Sequence, residues 1–581
     1  MKNVLFIVLD SITNNQLFNS IDSKQKAPFL NKLREKAITG DNMYSQAPYT
    51  EAALMSLLGS LDTLDAGGYM EKFKNKKTAI DEFRKNGYKT YFPTYYPSIY
   101  PSYMTYGAEY MNYIEKFTFS QLWDYRFKHF REAYLEGKTT KKENEMLEEM
   151  LEDNFNAWIK LLKLLIEKDE KTVMLNDCVE REGLKETINE ISEELDKFIL
   201  DKNKYMKELF TQGEEHILFK VNSHDYADKV QNNDFREWLI DNYTETFKKI
   251  KKTQTKTNLK TARIPVKKIL RNLKDINCIK GLLAGYKNLI CDKDILDRIN
   301  EKYDLFKAQR SFRTVAELTI NWIEKNKNSE TPWMAYVHVD DAHYPENFFT
   351  YDTTNKEIIE SEFKRINEFV DNLPKKYCGT IASDLSLLYC DSIIEMIFKY
   401  LEENNMMDNT SIVITADHGF SYYFNPIREK YVISNYRENY NVPFIVLDKD
   451  IKPRKIQGFL ATKDIPVTLL DLANIKIPEY FKGKSLLDFE GREFATVEFM
   501  GGGCPDLKRR PVILGIRDSE YEVMSEIYNN DMQIKEIYDS QKDYYEQKNL
   551  VKSKKIDIEK EKRFLQNRYK EIMKDLESEC N

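Results

Sequence analysis

Asn3-Val4-Leu5-Phe6-Ile7-Val8-Leu9-Asp10 opens the chain, and Thr410-Ser411-Ile412-Val413-Ile414-Thr415-Ala416-Asp417-His418-Gly419 lies far downstream. Each is a short, apolar, β-branched-rich run that stops abruptly on acid, the pattern of a buried strand. In an open parallel α/β sheet, ligands collect beyond the carboxyl ends of the strands. Two such strands delivering Asp10, Asp417 and His418 to one sheet edge would build a hard, mostly oxygen cation site. The plainer alternative for Asp10 is a helix cap, since Asp often occupies that position after a strand. Asp-His-Gly at a strand end is the more specific of the two signals.

A hydroxyl candidate lies in Tyr44-Ser45-Gln46-Ala47-Pro48-Tyr49-Thr50-Glu51-Ala52-Ala53-Leu54-Met55-Ser56-Leu57-Leu58-Gly59. A proline turn runs straight into an apolar-periodic helix whose start is marked by Thr50 and Glu51. Ordinary capping explains a Thr with nearby acid. A helix start also presents free N–H groups and a positive dipole end, which suits a phosphoryl or sulfuryl oxyanion. A hydroxyl there, beside a divalent cation, is placed for nucleophilic attack.

Four stretches, taken together and in order, resemble the sulfatase-like branch of the alkaline phosphatase superfamily. That branch includes sulfatases, lipoteichoic acid synthases, and phosphoethanolamine and phosphoglycerol transferases. The stretches are the strand to Asp10, the Pro48-Tyr49-Thr50 turn with Leu57-Leu58-Gly59, the run Pro332-Trp333 through Asp340-Asp341-Ala342-His343-Tyr344-Pro345, and Asp391 to Gly419. Val442–Val446, Thr462–Leu472 and Ile537–Leu550 resemble the family's closing segments. The resemblance covers roughly residues 1–115 and 310–550. It implies that Asp10, Thr50, Asp417 and His418 hold one divalent metal ion (Mn, Ca, Mg or Zn). It also makes Thr50 the nucleophile, places His343 near the oxyanion or leaving group, and places Arg428 as a basic substrate contact suited to bidentate phosphate binding.

Two departures narrow the expected activity. Sulfatases use a Cys or Ser converted to formylglycine inside a C/S-x-P-x-R string, whereas Thr50 is followed by Glu51-Ala52-Ala53-Leu54, and none of the seven Cys falls in such a string. The two-metal members add His ligands toward the C-terminus, whereas none of the six His here follows His418. The resemblance therefore implies one metal and phospho-ester chemistry through Thr50: a hydrolase or transferase moving a phosphodiester, phosphoglycerol or phosphoethanolamine-type group, with glycan or polysaccharide precursors as candidate substrates. A sulfuric ester hydrolase is the alternative activity. A catalytically inactive scaffold binding through an inserted helical region is the alternative class.

Charged residues make up 31% of the 581 and the net charge is −7, which gives nucleic acid no electrostatic attraction. Thirty-seven Tyr and thirty-two Phe argue against disorder. No stretch approaches the roughly 20 apolar residues of a membrane span. The first strand starts within three residues of Met1, leaving no room for a signal peptide, and the seven scattered Cys have no metal-type spacing. These features point to a reduced, cytoplasmic protein, and the resemblance implies a small-molecule, glycan or lipid-linked ester as its substrate.

The fold expected is α/β: an alkaline-phosphatase-like, mostly parallel central sheet flanked by helices, with a helical insertion and a small antiparallel C-terminal subdomain. The catalytic domain spans 1–116 and 307–489, the insertion 117–306 and the C-terminal subdomain 490–581. The insertion reads as a lid, a self-packed bundle, a homodimerisation arm or an acceptor-binding platform, and the basic run Lys248-Lys249-Ile250-Lys251-Lys252 through Lys267-Lys268 as a solvated face or a contact for anionic headgroups. Lys463 and the glycine cluster from Glu498 through Gly501-Gly502-Gly503-Cys504 are further pocket candidates. The final charged helix, Lys554 to Glu579, carries no evident chemistry.

Overall fold

The computed structural model describes residues 2–20, 22–65, 78–93, 119–123, 127–139, 141–167, 174–175, 181–221, 230–231, 233–261, 312–339, 356–374, 381–420, 436–500, 511–544, 546, 548–553 and 556–579. The opening apolar run forms β1 (Asn3–Leu9), and every residue in it is buried. Side chains alternate between the two faces of a strand, so complete burial means that both faces of the sheet are covered there. That is the physical reason the run lacks the polar alternation of a half-exposed strand.

Beside β1, the central sheet contains β2 (Ile38–Gly40), β4 (Lys89–Tyr91), β5 (Trp333–Val339), β6 (Thr410–Thr415), β7 (Phe444–Leu447) and β8 (Arg454–Ile456). A short β3 (Met43–Tyr44) pairs separately with β9 (Leu460–Ala461). The order across the seven-stranded sheet is β8-β2-β7-β6-β1-β5-β4. Pairings β6–β1, β1–β5 and β5–β4 are parallel, as is β8–β2, while β7 runs antiparallel to both β6 and β2. The mostly parallel sheet expected from the sequence is therefore present, with β7 as the reversed strand. Two groups of helices pack around it: Thr50–Gly59 with Asp464–Leu472 and Ala79–Lys85, and Phe312–Asn326 with Ile381–Glu403 and Pro28–Arg34.

The helices between Phe119 and Val221 enclose a separate apolar core built on Trp123, Phe127, Leu147, Phe155, Trp158, Phe198, Met206 and Phe210. The long helix Asn233–Thr261 instead packs through Phe247 and Ile250 onto Ile359, Phe363 and Ile366 of helix Lys356–Asp371. Within its basic run Ile250 is core, Lys248 pairs with Glu245 at 2.8 Å and Lys249 pairs with Asp371, while Lys251 and Lys252 are exposed and Lys267-Lys268 lie outside the described residues. Among the described residues no helix is long and apolar enough to cross a membrane.

The C-terminal sheet is antiparallel, with β10 (Ala495–Met500), β11 (Val512–Arg517), β12 (Tyr521–Tyr528) and β13 (Asp531–Asp539) in sequence order. Its edge strand β10 docks on the turn before Thr50. Glu498 N–H donates to Gln46 O at 2.8 Å, Gln46 Nε2 donates to Thr496 Oγ1 at 3.2 Å, and Tyr49 OH donates to Met500 O at 3.1 Å.

One sequence expectation changes here. Glu498 is not at a substrate-side loop: it is buried, accepts Leu64 N–H at 2.8 Å, and takes Arg568 in a two-point grip at 2.7 and 2.8 Å. The final charged helix, Glu559–Glu579, is anchored there, because Arg568 reaches inward to Glu498 and, at 2.9 Å, to Asp65. Fork-to-carboxylate geometry makes such contacts strong and orientation-specific. Removing one partner of a buried ion pair leaves the other charged and unsatisfied, which costs about 3–5 kcal/mol. Arg568→Ala should therefore lower the unfolding free energy by an amount of that order, moving the urea midpoint down in proportion to it, and Arg568→Lys should restore only part of the loss. A midpoint unchanged in urea titration would show that the clamp carries no stability.

Candidate active site

Strand register assembles the site. Val8 of β1 lies opposite His338 of β5 on one side and Thr415 of β6 on the other. Asp10 and Asp417 each follow two residues beyond those paired positions. Alternation therefore turns both carboxylates toward the side that His338 occupies. One ligand atom each from Asp10, His338 and Asp417 falls within 4.8 Å of the others, and all three residues are buried. Neighbouring parallel strands, ending together, bring into contact side chains about four hundred positions apart in the chain.

Local hydrogen bonds fix each group. Asp417 Oδ1 accepts the His418 N–H at 2.7 Å and the Ser11 N–H at 3.4 Å, whereas Asp417 Oδ2 has no hydrogen-bond donor among the described residues. Asp10 Oδ1 accepts Ser11 Oγ–H at 2.7 Å. Ser11 adopts φ +65°, a left-handed conformation that costs a non-glycine residue roughly 1–2 kcal/mol. This backbone turn allows Ser11 to contact both acids at once.

His418 Nδ1 lies 2.7 Å from its neighbour's carbonyl, Gly419 O, so that nitrogen carries the hydrogen and Nε2 presents a lone pair. Gly419 is required by close approach: a Cβ there would stand 1.9 Å from Glu438 O. Gly419 N–H in turn donates to Asn439 O at 2.9 Å. Nε2 of His418 faces Asp10 Oδ1 at 3.4 Å and Asp417 Oδ2 at 3.6 Å. Burial works against charge on His418, but the carboxylates of Asp417 and Asp10 and the Gly419 carbonyl outweigh it and hold the imidazole pKa above its usual value. The pocket thus favours positive charge at this point.

Thr50 enters from a different element. Helix Thr50–Gly59 starts with Tyr49 as the capping residue, and no side chain caps it. The Thr50 hydroxyl is therefore not spent on capping. Its Oγ1 lies 3.3 Å from Asp10 Oδ2 and 3.3 Å from His418 Nε2. The next residue, Glu51, is half-buried, and burial pushes its carboxyl pKa upward.

The four residues expected at the metal are linked by near contacts: Thr50 meets Asp10 and His418, and His418 meets Asp10 and Asp417. His343, Arg428 and the Gly501–Cys504 cluster lie outside the described residues. Lys463 is not part of this cluster: its Nζ pairs with Asp62 at 2.5 Å, and its carbonyl accepts Ser60 Oγ at the opposite end of the Thr50 helix, about 15 Å along the axis. Sequence reasoning missed His338 and Ser11. His338 reads as one polar residue in an apolar strand, and only its register against Val8 exposes its role. Ser11 carried no signal, because its contribution comes from a backbone angle.

The donor set fits a divalent cation. Two ligand atoms each about 2.1 Å from a tetrahedral ion stand roughly 3.4 Å apart, and the separations here of 3.3, 3.4, 3.6 and 3.7 Å bracket that value. Two buried carboxylates facing one another repel unless positive charge, from a cation or from His418 in its protonated form, lies between them.

Comparison with known proteins identifies the family. The sulfatase family profile matches residues 2–176 and 205–475, and the chain belongs to the sulfatase family. An ulvan-active sulfatase from Formosa agariphila is 25% identical over 254 residues, which cover 41% of this chain and 47% of that one. An N-acetylglucosamine-6-sulfatase from Bos taurus is 27% identical over 235 residues, 33% of this chain and 40% of that one. The matched stretch thus spans less than half the length of either relative. The phosphonate monoester hydrolase of Agrobacterium radiobacter superposes with a TM-score of 0.46 at 13% identity, covering 100% of this chain and 96% of that one.

Asp417→Asn provides a direct check on the charge balance, because it keeps the shape of the side chain while removing its charge. With chelator present, the variant should be at least as stable as the wild type, since a repulsion has been relieved. A divalent cation at a hundred times its dissociation constant should stabilise the wild type by about 2.7 kcal/mol. The variant should gain little, and thermal unfolding with and without metal would reveal the reversal.

Proposed function

We propose that this member of the sulfatase family is a metal-dependent hydrolase or transferase acting on phospho-esters, with Thr50 as its nucleophile. The observation that carries this reading is the Thr50 hydroxyl, uncommitted to capping and 3.3 Å from both Asp10 Oδ2 and His418 Nε2. A Thr side chain cannot be converted to formylglycine. Ala52 and Leu54, both fully buried, occupy the places where the C/S-x-P-x-R string carries Pro and Arg. Both facts favour direct attack by an unmodified hydroxyl.

Asp10, Asp417, His418 and Thr50 would hold one divalent cation, which supplies Lewis-acid polarisation and lowers the pKa of a nearby hydroxyl. Asp10 Oδ2 is placed to accept the Thr50 proton as Oγ1 forms its bond to phosphorus. The bond from phosphorus to the leaving alcohol breaks in line, and that alcohol takes a proton from His343 in its assigned role. Arg428 is assigned to the phosphoryl oxygens. Water or an acceptor hydroxyl then attacks phosphorus and regenerates Thr50, giving hydrolysis or transfer respectively. The substrate class is a phosphodiester, phosphoglycerol or phosphoethanolamine-type ester on a glycan or lipid-linked precursor.

Sulfuric ester hydrolysis is the second reading, favoured by the named activities of the two relatives. An inactive scaffold is disfavoured by the cost of burying two facing carboxylates with no reaction to serve.

Assay of aryl phosphodiesters, phosphate monoesters and sulfates separates these readings. Phosphodiester turnover should exceed sulfate turnover. Thr50→Ala should lower kcat by about a thousandfold or more, while Thr50→Ser, which keeps the hydroxyl, retains measurable activity. Acid quench and mass spectrometry should recover a phosphorylated Thr50 peptide. Wild-type turnover by Thr50→Ala would overturn the nucleophile assignment.

A further inference from the structure

We propose that His338 is a ligand of the cation site and that its imidazole tunes the site toward a zinc-class ion over Ca2+ or Mg2+. This rests on the reading of Asp10, Asp417 and His418 as a metal centre, and adds a residue that the strand-end motifs alone do not include.

Three observations converge. First, β5 is buried at every position, and His338 is the one imidazole in a strand otherwise made of Trp333, Met334, Ala335, Tyr336, Val337 and Val339. Burying an imidazole among apolar neighbours is unfavourable unless its nitrogens are used. Second, the parallel pairing of Val8 with His338 puts this ring on the side of the sheet to which Asp10 and Asp417 turn. Third, His338 Nε2 is 3.7 Å from Asp417 Oδ2, while His418 Nε2 approaches the same oxygen at 3.6 Å from another direction. A separation of 3.7 Å is too long for a hydrogen bond. It is the spacing of two atoms that share an ion, and Asp417 Oδ2 accepts no hydrogen bond among the described residues.

The chemical consequence follows from ligand type. Asp10, Asp417 and Thr50 offer oxygen only, the preference of Ca2+ and Mg2+. One imidazole makes such a set mixed; a second makes it balanced between nitrogen and oxygen. Imidazole nitrogen suits zinc and its neighbours, whereas carboxylate, carbonyl and water suit Mg2+ and Ca2+. Among the described residues, this compact set with two imidazoles offers fewer oxygens than the six to eight that Ca2+ takes.

The test uses the full chain, stripped with chelator and then exposed to equal concentrations of Zn2+, Mn2+, Ca2+ and Mg2+. Elemental analysis of the wild type should find Zn2+ near one per chain, with little Ca2+ or Mg2+. His338→Ala should bind Zn2+ more than about a hundredfold more weakly, with Ca2+ and Mg2+ binding nearly unchanged. His338→Gln, closer in size, guards against a packing defect, and circular dichroism confirms that each variant is folded. Pulsed electron paramagnetic resonance of the Cu2+-loaded protein should count two coordinated imidazoles in the wild type and one in each His338 variant. Wild-type Zn2+ affinity with an unchanged imidazole count in both variants would overturn the assignment. Dominance of Ca2+ or Mg2+ in the wild type would overturn the selectivity. Failure of any of the four cations to bind, in wild type as in Asp417→Asn, would remove the metal reading on which the assignment rests.

Discussion

The repulsion between Asp10 and Asp417 organises the rest of the site. Two buried carboxylates on adjacent parallel strands, with the His418 imidazole between them, are held together only where positive charge neutralises them. Every nearby feature keeps that arrangement from relaxing. Ser11 takes a strained backbone angle to contact both acids, Gly419 admits a carbonyl that no other residue would tolerate, and the His418 ring is fixed by its own neighbour's backbone. The protein thus stores unfavourable charge in a rigid frame, which is what electrostatic preorganisation requires.

The frame is held by segments from distant parts of the chain. Residues 439–441 touch three of the site's supports: Asn439 O receives Gly419 N–H, Tyr440 O receives Ser45 N–H, and Asn441 O receives Asn14 N–H. From outside, both Glu546 carboxylate oxygens accept the Arg437 N–H at 2.9 Å, tying this stretch to the residues beyond the C-terminal sheet. That carboxyl is buried, and its pKa stands well above the usual range because of burial and the neighbouring Glu522, with Arg517 and the Arg437 N–H opposing the shift. The C-terminal subdomain therefore supports the walls of the site as well as extending the fold.

Much of this was legible in the sequence, for identifiable reasons. The two strand-end acids stood out because a buried strand tolerates no polar residue until it ends, so Asp10 and Asp417 marked the sheet edge. Thr50 stood out because a proline turn and an apolar helix bracket it. His338 was hidden, since a single His in an apolar strand reads as core until the register with Val8 is known. Arg568 was hidden for the opposite reason: its helix has the charged pattern of a solvated face, and only the tertiary partners Glu498 and Asp65 show that it points inward. Lys463 was misplaced because sequence proximity to a family segment says nothing about which end of a helix a side chain meets, and Glu498 because it was grouped with the glycine cluster that follows it although it belongs to β10. His343 and Arg428 lie outside the described residues.

The separation of the site's parts along the chain also shapes how the protein is made. Thr50 and His418 are 368 residues apart, and Asp65 and Arg568 are 503 apart. At roughly 5–20 residues per second, synthesis needs on the order of tens of seconds to supply His418 after Thr50 has emerged. During that interval β1 has no β6 to pair with, and its apolar edge is a template for wrong partners. The helices between Phe119 and Val221, with a core of their own built from local contacts, have no such dependence and can fold while the rest waits. A nascent chain can thus carry a locally packed helical body beside an incomplete sheet, and the sheet is the part most exposed to aggregation.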